Sequence, residues 1–217
     1  MTTTATPTSR SARLGGVLLA LGPAQFLVLH VVVANAWVRP RYSWWTNYIS
    51  DLGAVHCAPV LGNDVCSPLH AGMNTAFVLL GVLLLAGTVL TANTWSTQGN
   101  RRVWQAMVGL AGLSWVVVGL VPEDVDLTVH SIGALPVFIL GNAALVIAGT
   151  SASTRTRPLA RTAALALGIT GLLGFALTAF AATNAGHVIG VGIAERVTVF
   201  PLLLWVLVVG VDVVRER

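Results

Sequence analysis

Charge is what this chain has least of. Only 9% of its 217 residues are Asp, Glu, Lys or Arg, against about 25% in an ordinary soluble domain. Lysine is missing altogether, and all 12 basic residues are arginine. With 55% hydrophobic residues and a mean hydropathy of +0.81, this scarcity excludes a water-soluble domain and points to a bilayer. The apolar runs do not alternate with polar residues, which excludes a membrane β-barrel. Phosphate-cradling and dinucleotide-binding glycine signatures are absent, as are HExxH and GxSxG. The formal charge of +4 is no nucleic-acid signal. The arginines sit in small groups at the ends of apolar runs, without the stripe and interleaved aromatics that a nucleic-acid face requires.

What is present is a series of runs near the roughly 20 residues needed to cross the hydrocarbon. Residues 1–13, rich in Thr and Ser, read as a disordered tail. Spans follow at about 14–38, 70–90, 103–121, 130–149, 162–182 and 197–214, so residues 14–217 form one domain. The first run ends in Ala34-Asn-Ala36, which looks like a signal-peptidase site, but it exceeds a signal core and reads as an uncleaved helix. The sixth boundary has an alternative near Val188, which would carry Glu195 and Arg196 inside the helix. The expected fold is therefore an all-α bundle of six transmembrane helices.

Arginine sets the expected orientation. One side collects Arg10, Arg13, Arg101, Arg102, Arg155, Arg157, Arg161, Arg215 and Arg217; the other has Arg39, Arg41 and Arg196. The positive-inside rule then puts both termini in the cytoplasm of a multi-pass plasma-membrane protein. Residues 39–69 become a long extracytoplasmic loop, and Asp51, Asp64, Glu123, Asp124, Asp126 and Glu195 share its side. Cys57 and Cys66 lie in that loop, where the compartment permits a disulfide and their spacing excludes a CxxC metal site.

His56, His70, His130 and His187 fall at or near the same face, with His30 deeper in the first span. Ionisable groups near membrane depth are costly, and a functional site is their default reading. Asp126 and His130 are one helical turn apart, so Asp126 orients the imidazole or caps the helix. Trp37, Trp44 and Trp45 read as an interfacial belt. Asp64-x5-His70 and Asp124-x5-His130 open the second and fourth spans, each followed by glycines (Gly81, Gly87 and Gly141, Gly149); a repeat of hairpins and chance likeness both fit. Three chemistries compare. Zinc would use His70, His130 and His187 with a carboxylate. A Ser-His-Asp arrangement would use Ser50 or Ser67. Bis-histidine haem would need facing pairs that a cluster at one rim does not provide.

Tyr42-Ser-Trp-Trp-Thr-Asn-Tyr-Ile-Ser-Asp-Leu-Gly53 resembles the signature of the bacterial and archaeal membrane family catalogued as domain of unknown function 998. Val121-Pro-Glu-Asp124 with His130 resembles that family's second motif, and Gly192-Ile-Ala-Glu-Arg196 its third. The resemblance runs from about Leu14 to Val214 and implies a compact six-helix bundle without an established activity. In the family the second span opens on a Phe-Asn pair; here His70 and Asn74 stand nearby, which argues against a metal role for His70. The match marks Asn47, Ser50, Asp51, Glu123, His130, Glu195 and Arg196 as site residues. An enzyme working on a lipid or amphipathic substrate, lipid-modifying or hydrolytic, would use Asp51, Glu123 and His130 as its acid–base set. Asn47, Ser50, Glu195 and Arg196 would bind substrate, with Arg196 on an anionic headgroup. A non-catalytic protein that binds or transports a lipid or ion, and a structural subunit, both stay open. Membrane lipids are the expected partners.

Overall fold

A computed structural model describes residues 9–94, 98–151, 158–183 and 189–215. Six helices in it are long and apolar enough to cross a membrane. They are α1 (Arg10–Ala36), α2 (His70–Leu90), α3 (Gln98–Leu120), a fourth span broken into α4 (Leu127–Pro136) and α5 (Asn142–Thr150), α6 (Pro158–Thr183), and α7 (Val191–Arg215). Helix α1 starts inside the expected tail, because the Ser9 hydroxyl caps it by accepting the Ala12 amide at 3.2 Å. Helix α7 starts at Val191 rather than 197, so Glu195 and Arg196 sit in its opening turns.

Each span packs on its neighbours in sequence, and α7 returns to pack on α1, which closes the ring. Lipid supplies no hydrophobic drive between such helices, so close approach through small residues matters. The α1–α7 contact shows this: a Cβ on Gly16 would stand 2.8 Å from the Gly210 carbonyl oxygen. The glycines of the suspected repeat lie at crossings of the same kind. Gly87 packs on α1 and Gly149 on Leu165 of α6, while Gly81 faces α3 and Gly141 faces Leu202 of α7.

The break in the fourth span follows from Pro136, which lacks an amide hydrogen and crowds the preceding turn. The chain widens into a π-turn over Val137–Gly141. Asn142 then sends its side-chain amide to the Phe138 carbonyl at 2.8 Å and the Thr198 carbonyl at 2.9 Å, tying the widened turn to α7.

The long loop between α1 and α2 folds back over one end of the ring as a cap. It carries a 3-10 turn, Ser50–Gly53, and a hairpin of β1 (Ala58–Val60) with β2 (Asn63–Val65), pairing Ala58 with Val65 and Val60 with Asn63. Leu61 and Gly62, both at positive φ, make the two-residue turn. The Cys57–Cys66 disulfide closes the hairpin's base. Ile49 and Leu52 plug the cap into the bundle, fully buried, above an aromatic trio of Phe26, Phe77 and Trp115 with ring centroids 5.3–5.5 Å apart. Trp37, expected in an interfacial belt, is buried instead against Tyr42. The cap folds back over the end of α1 and draws it inward.

Gly16→Val is expected to lower bundle stability by about 1–3 kcal/mol through overpacking against α7. Thermal unfolding of the purified protein in detergent checks this, and an unchanged midpoint would contradict the close α1–α7 contact.

Candidate functional site

In the cap, Tyr42 and the run from Asn47 to Gly53 are buried but belong to no long helix or sheet, so their backbone groups need partners from elsewhere. Two consecutive residues of α7 supply them. Glu195 accepts the Ile49 amide in a short hydrogen bond. Arg196 donates through Nη1 to the carbonyls of Trp44 (3.2 Å), Asn47 (3.1 Å) and Gly192 (2.6 Å). Through Nη2 it reaches the Tyr42 hydroxyl and His30 Nε2 (3.3 Å). Since a guanidinium only donates, His30 Nε2 must be the acceptor. The Arg196 charge also lies 4.9 Å from the Trp44 ring centroid and 5.6 Å from that of Tyr42, while His30 stacks on Trp44 at 4.9 Å. Opposite charge alone would give Arg196 an ion pair with Glu123 or Asp51. It does not form, because Arg196 leaves α7 on the side facing α1 and the cap carbonyls.

The α3–α4 connection grips the cap from the other side, again through adjacent residues. Asp124 accepts the amides of Val55 (3.0 Å) and His56 (2.7 Å) and pairs with the His56 ring at 2.8 Å. Burial acts against its charge, but these bonds prevail and hold its carboxyl below the usual range. Glu123 accepts the Ser50 hydroxyl at 2.5 Å. From α2, Asn74 donates to the Gly53 carbonyl at 2.9 Å, and Ser67, just before that helix, donates to the Leu52 carbonyl at 2.7 Å.

One contact is of another kind. Asp51 is 0% and Glu123 2% exposed, and the two carboxyls lie close enough to act on each other's protonation. Carboxyl groups so placed can hydrogen-bond to each other only when a proton lies between them. Asp51 Oδ2 accepts from Asn47 Nδ2 (2.6 Å), the Tyr48 amide (3.0 Å) and Asn63 Nδ2 (3.1 Å). Asp51 Oδ1 and Glu123 Oε1 are buried without a hydrogen-bond partner. Burial pushes both groups above the ordinary carboxylate range, and Glu123 is raised further by Asp51 beside it. Tyr42 and Tyr48 nearby are pushed up as well, first by burial.

Beneath the pair lies a cavity of about 20 Å³, with Ser50, His130 and Glu195 as its polar lining and Phe77, Trp115 and Phe138 among its apolar walls. That is room for about one water. His130 donates from Nδ1 to the Val121 carbonyl at 2.7 Å, which leaves Nε2 as the bare nitrogen. Asp126 does not orient this ring: its carboxylate caps α4 by accepting the Val129 amide at 3.0 Å.

Of the residues singled out in the sequence, Ser50, Asp51 and Glu123 meet directly, and His130 and Glu195 line the cavity with Ser50. Asn47 orients Asp51, and Arg196 holds cap backbone. The expected zinc set of His70, His130 and His187 falls partly outside the described residues. His70 turns Nδ1 to the Ser67 carbonyl at 3.1 Å, His187 lies outside the described residues, and among the described residues no three His, Cys, Asp or Glu side chains gather to hold a metal. Sequence reasoning gave no role here to His30, Tyr42 or Asn63. Polar residues inside an apolar span, or in the cap beside a signature, were the available signal.

Residues 20–212 match the model of one protein family, described as "Protein of unknown function (DUF998)". No curated protein and no solved structure matches the chain.

The carboxyl pair and Asp124 give opposite pH signatures. An unfolded chain releases both protons of the pair in the ordinary carboxylate range, whereas the folded pair holds on to a higher pH. The folded state binds more protons in that window, so stability falls as pH rises through it. Asp124, lowered on folding, contributes above the ordinary range and is lost as pH falls through its folded value. Glu123→Gln, which keeps an acceptor for Ser50 without the titration, is expected to flatten the loss of stability above about pH 5. Melting curves of wild type and variant from acid to mildly basic pH check this; equal slopes would sink it.

Proposed function

This chain belongs to the DUF998 family, and from that premise we propose that it is a membrane enzyme performing acid–base chemistry on a lipid or other amphipathic substrate at the outer face of the cell membrane. Asp51 and Glu123 are its proton-handling pair, and His130 is the second base. The observation that carries the reading is the buried Asp51–Glu123 carboxyl pair, each with one oxygen left without a hydrogen-bond partner. Two carboxyls held together without a facing cation retain a proton to unusually high pH, as a general acid at neutral pH must.

A purely structural cap would not need such a pair. Glu195, Arg196, Asp124, Asn74 and Ser67 already hold the cap through its backbone. An amide in place of either carboxyl would make the same contact at lower desolvation cost. The site also has a place for a reacting group, because Ser50 links the pair to a cavity onto which His130 opens. Arg196, with both terminal nitrogens engaged, keeps the cap in position in this reading and leaves headgroup recognition to other groups. The arginine distribution supports an outward-facing cap.

Lipid profiles of a deletion strain, complemented with wild type or with Glu123→Gln, test the proposal. A lipid class is expected to accumulate in the deletion strain and in the Glu123→Gln strain, and to return to normal with wild type. An unchanged profile in the deletion strain would count against an enzyme.

A further inference from the structure

Resting on that acid–base reading and going one step past it, we infer that Ser50 is a nucleophile that accepts an acyl group from a carboxylic ester or thioester, with Glu123 as its base and Asp51 receiving the displaced proton. The Ser50 hydroxyl points its hydrogen at Glu123 Oε2, 2.5 Å away. Behind it Glu123 Oε1 and Asp51 Oδ1 are buried without a hydrogen-bond partner, and the relay runs through them from hydroxyl to carboxyl to carboxyl. Asn47, Asn63 and the Tyr48 amide hold the far oxygen of Asp51, so its charge is stabilised before reaction and its near oxygen is free to take a proton.

Other serines with known partners differ in kind. Ser67 gives its hydrogen to the Leu52 carbonyl and Ser151 to the Ile147 carbonyl. A carbonyl oxygen can orient a hydroxyl but cannot relieve it of its proton. Only a partner that can be protonated activates an alcohol of this kind. Ser50 is also the serine on the cavity lining, and that cavity continues between Phe77, Trp115, Val118 and Phe138. Those walls are apolar and offer no partner to a sugar or phosphate.

The step balances as follows. Ser50 Oγ bonds to the acyl carbon as its proton passes to Glu123 Oε2 and the Glu123 Oε1 proton passes to Asp51 Oδ1. The carbon–oxygen or carbon–sulfur bond to the leaving group then breaks. The departing alkoxide or thiolate takes the proton back through the same relay, and the free alcohol or thiol departs. Water, for which the cavity has room, attacks the acyl-Ser50 carbonyl and gives its proton to the bare Nε2 of His130. That proton returns to Ser50 Oγ as the ester opens, releasing a carboxylic acid. No electrons are transferred.

A long-chain alkyl fluorophosphonate, which phosphonylates activated serines, provides a test that needs no identified substrate. The full chain in lipid nanodiscs is treated and its peptides are mapped by mass spectrometry. One adduct on the peptide bearing Ser50 is expected in wild type and none in Ser50→Ala. In Glu123→Gln, with folding checked by melting, labelling of that peptide is expected to slow by about a hundredfold or more. An unlabelled wild type, an adduct on another serine alone, or a wild-type rate in Glu123→Gln would each overturn the assignment. If Ser50 stays unlabelled while a lipid class still responds to deletion and to Glu123→Gln, the nucleophile falls and the acid–base reading stands. If neither responds, both fall.

Discussion

A buried segment without regular secondary structure must find a partner for nearly every backbone amide and carbonyl, and the cap end of this protein is built around that demand. Helix α7 meets it with two neighbouring residues of opposite character. A carboxylate takes an amide hydrogen, and a guanidinium takes carbonyl oxygens within a few residues of it. The α3–α4 connection repeats the device with Glu123 and Asp124. Because Glu195, Arg196 and Asp124 bind backbone groups, these side chains fix the path of the cap. Once that path is fixed, Ser50 and Asp51 arrive at Glu123, and Ile49 and Leu52 fill the top of the core.

Arg196 and the Asp51–Glu123 pair are both buried, and neither is neutralised by an ion pair with the other. Arg196 disperses its charge over carbonyl dipoles and two aromatic faces. The acidic pair instead keeps a proton. Breaking a buried salt bridge by removing one partner leaves the other stranded at considerable cost. Separate solutions avoid that dependence, and they let the acidic pair change its protonation without disturbing the anchor that holds the cap.

The spans were legible because each must present about 20 apolar residues to lipid, a requirement independent of tertiary detail. Their edges were less so. Glu195 and Arg196 interrupt hydropathy at the start of α7, and only burial against the cap makes a helix possible around them. The membership of the site could be read from the motifs, and the cysteine pair from its compartment. The pairing within the site could not. Opposite charge alone would match Arg196 to an acid, yet backbone carbonyls and His30 captured it. Asp126 was a candidate to orient His130, one turn away, yet a free amide at the helix start captured its carboxylate first. In both cases local unsatisfied backbone outcompeted a side-chain partner, and a sequence does not display its unsatisfied backbone.

The ring closure has a consequence for biosynthesis. Helix α7 follows the other five spans in the chain, yet it carries Glu195 and Arg196, which anchor a loop that lies between α1 and α2. Until α7 inserts against α1, Tyr42 to Ile49 lack their partners and the Ser50–Asp51–Glu123 arrangement has no fixed path. The site therefore stays unassembled while the five earlier spans are made, and its geometry is a property of the closed ring rather than of any one hairpin.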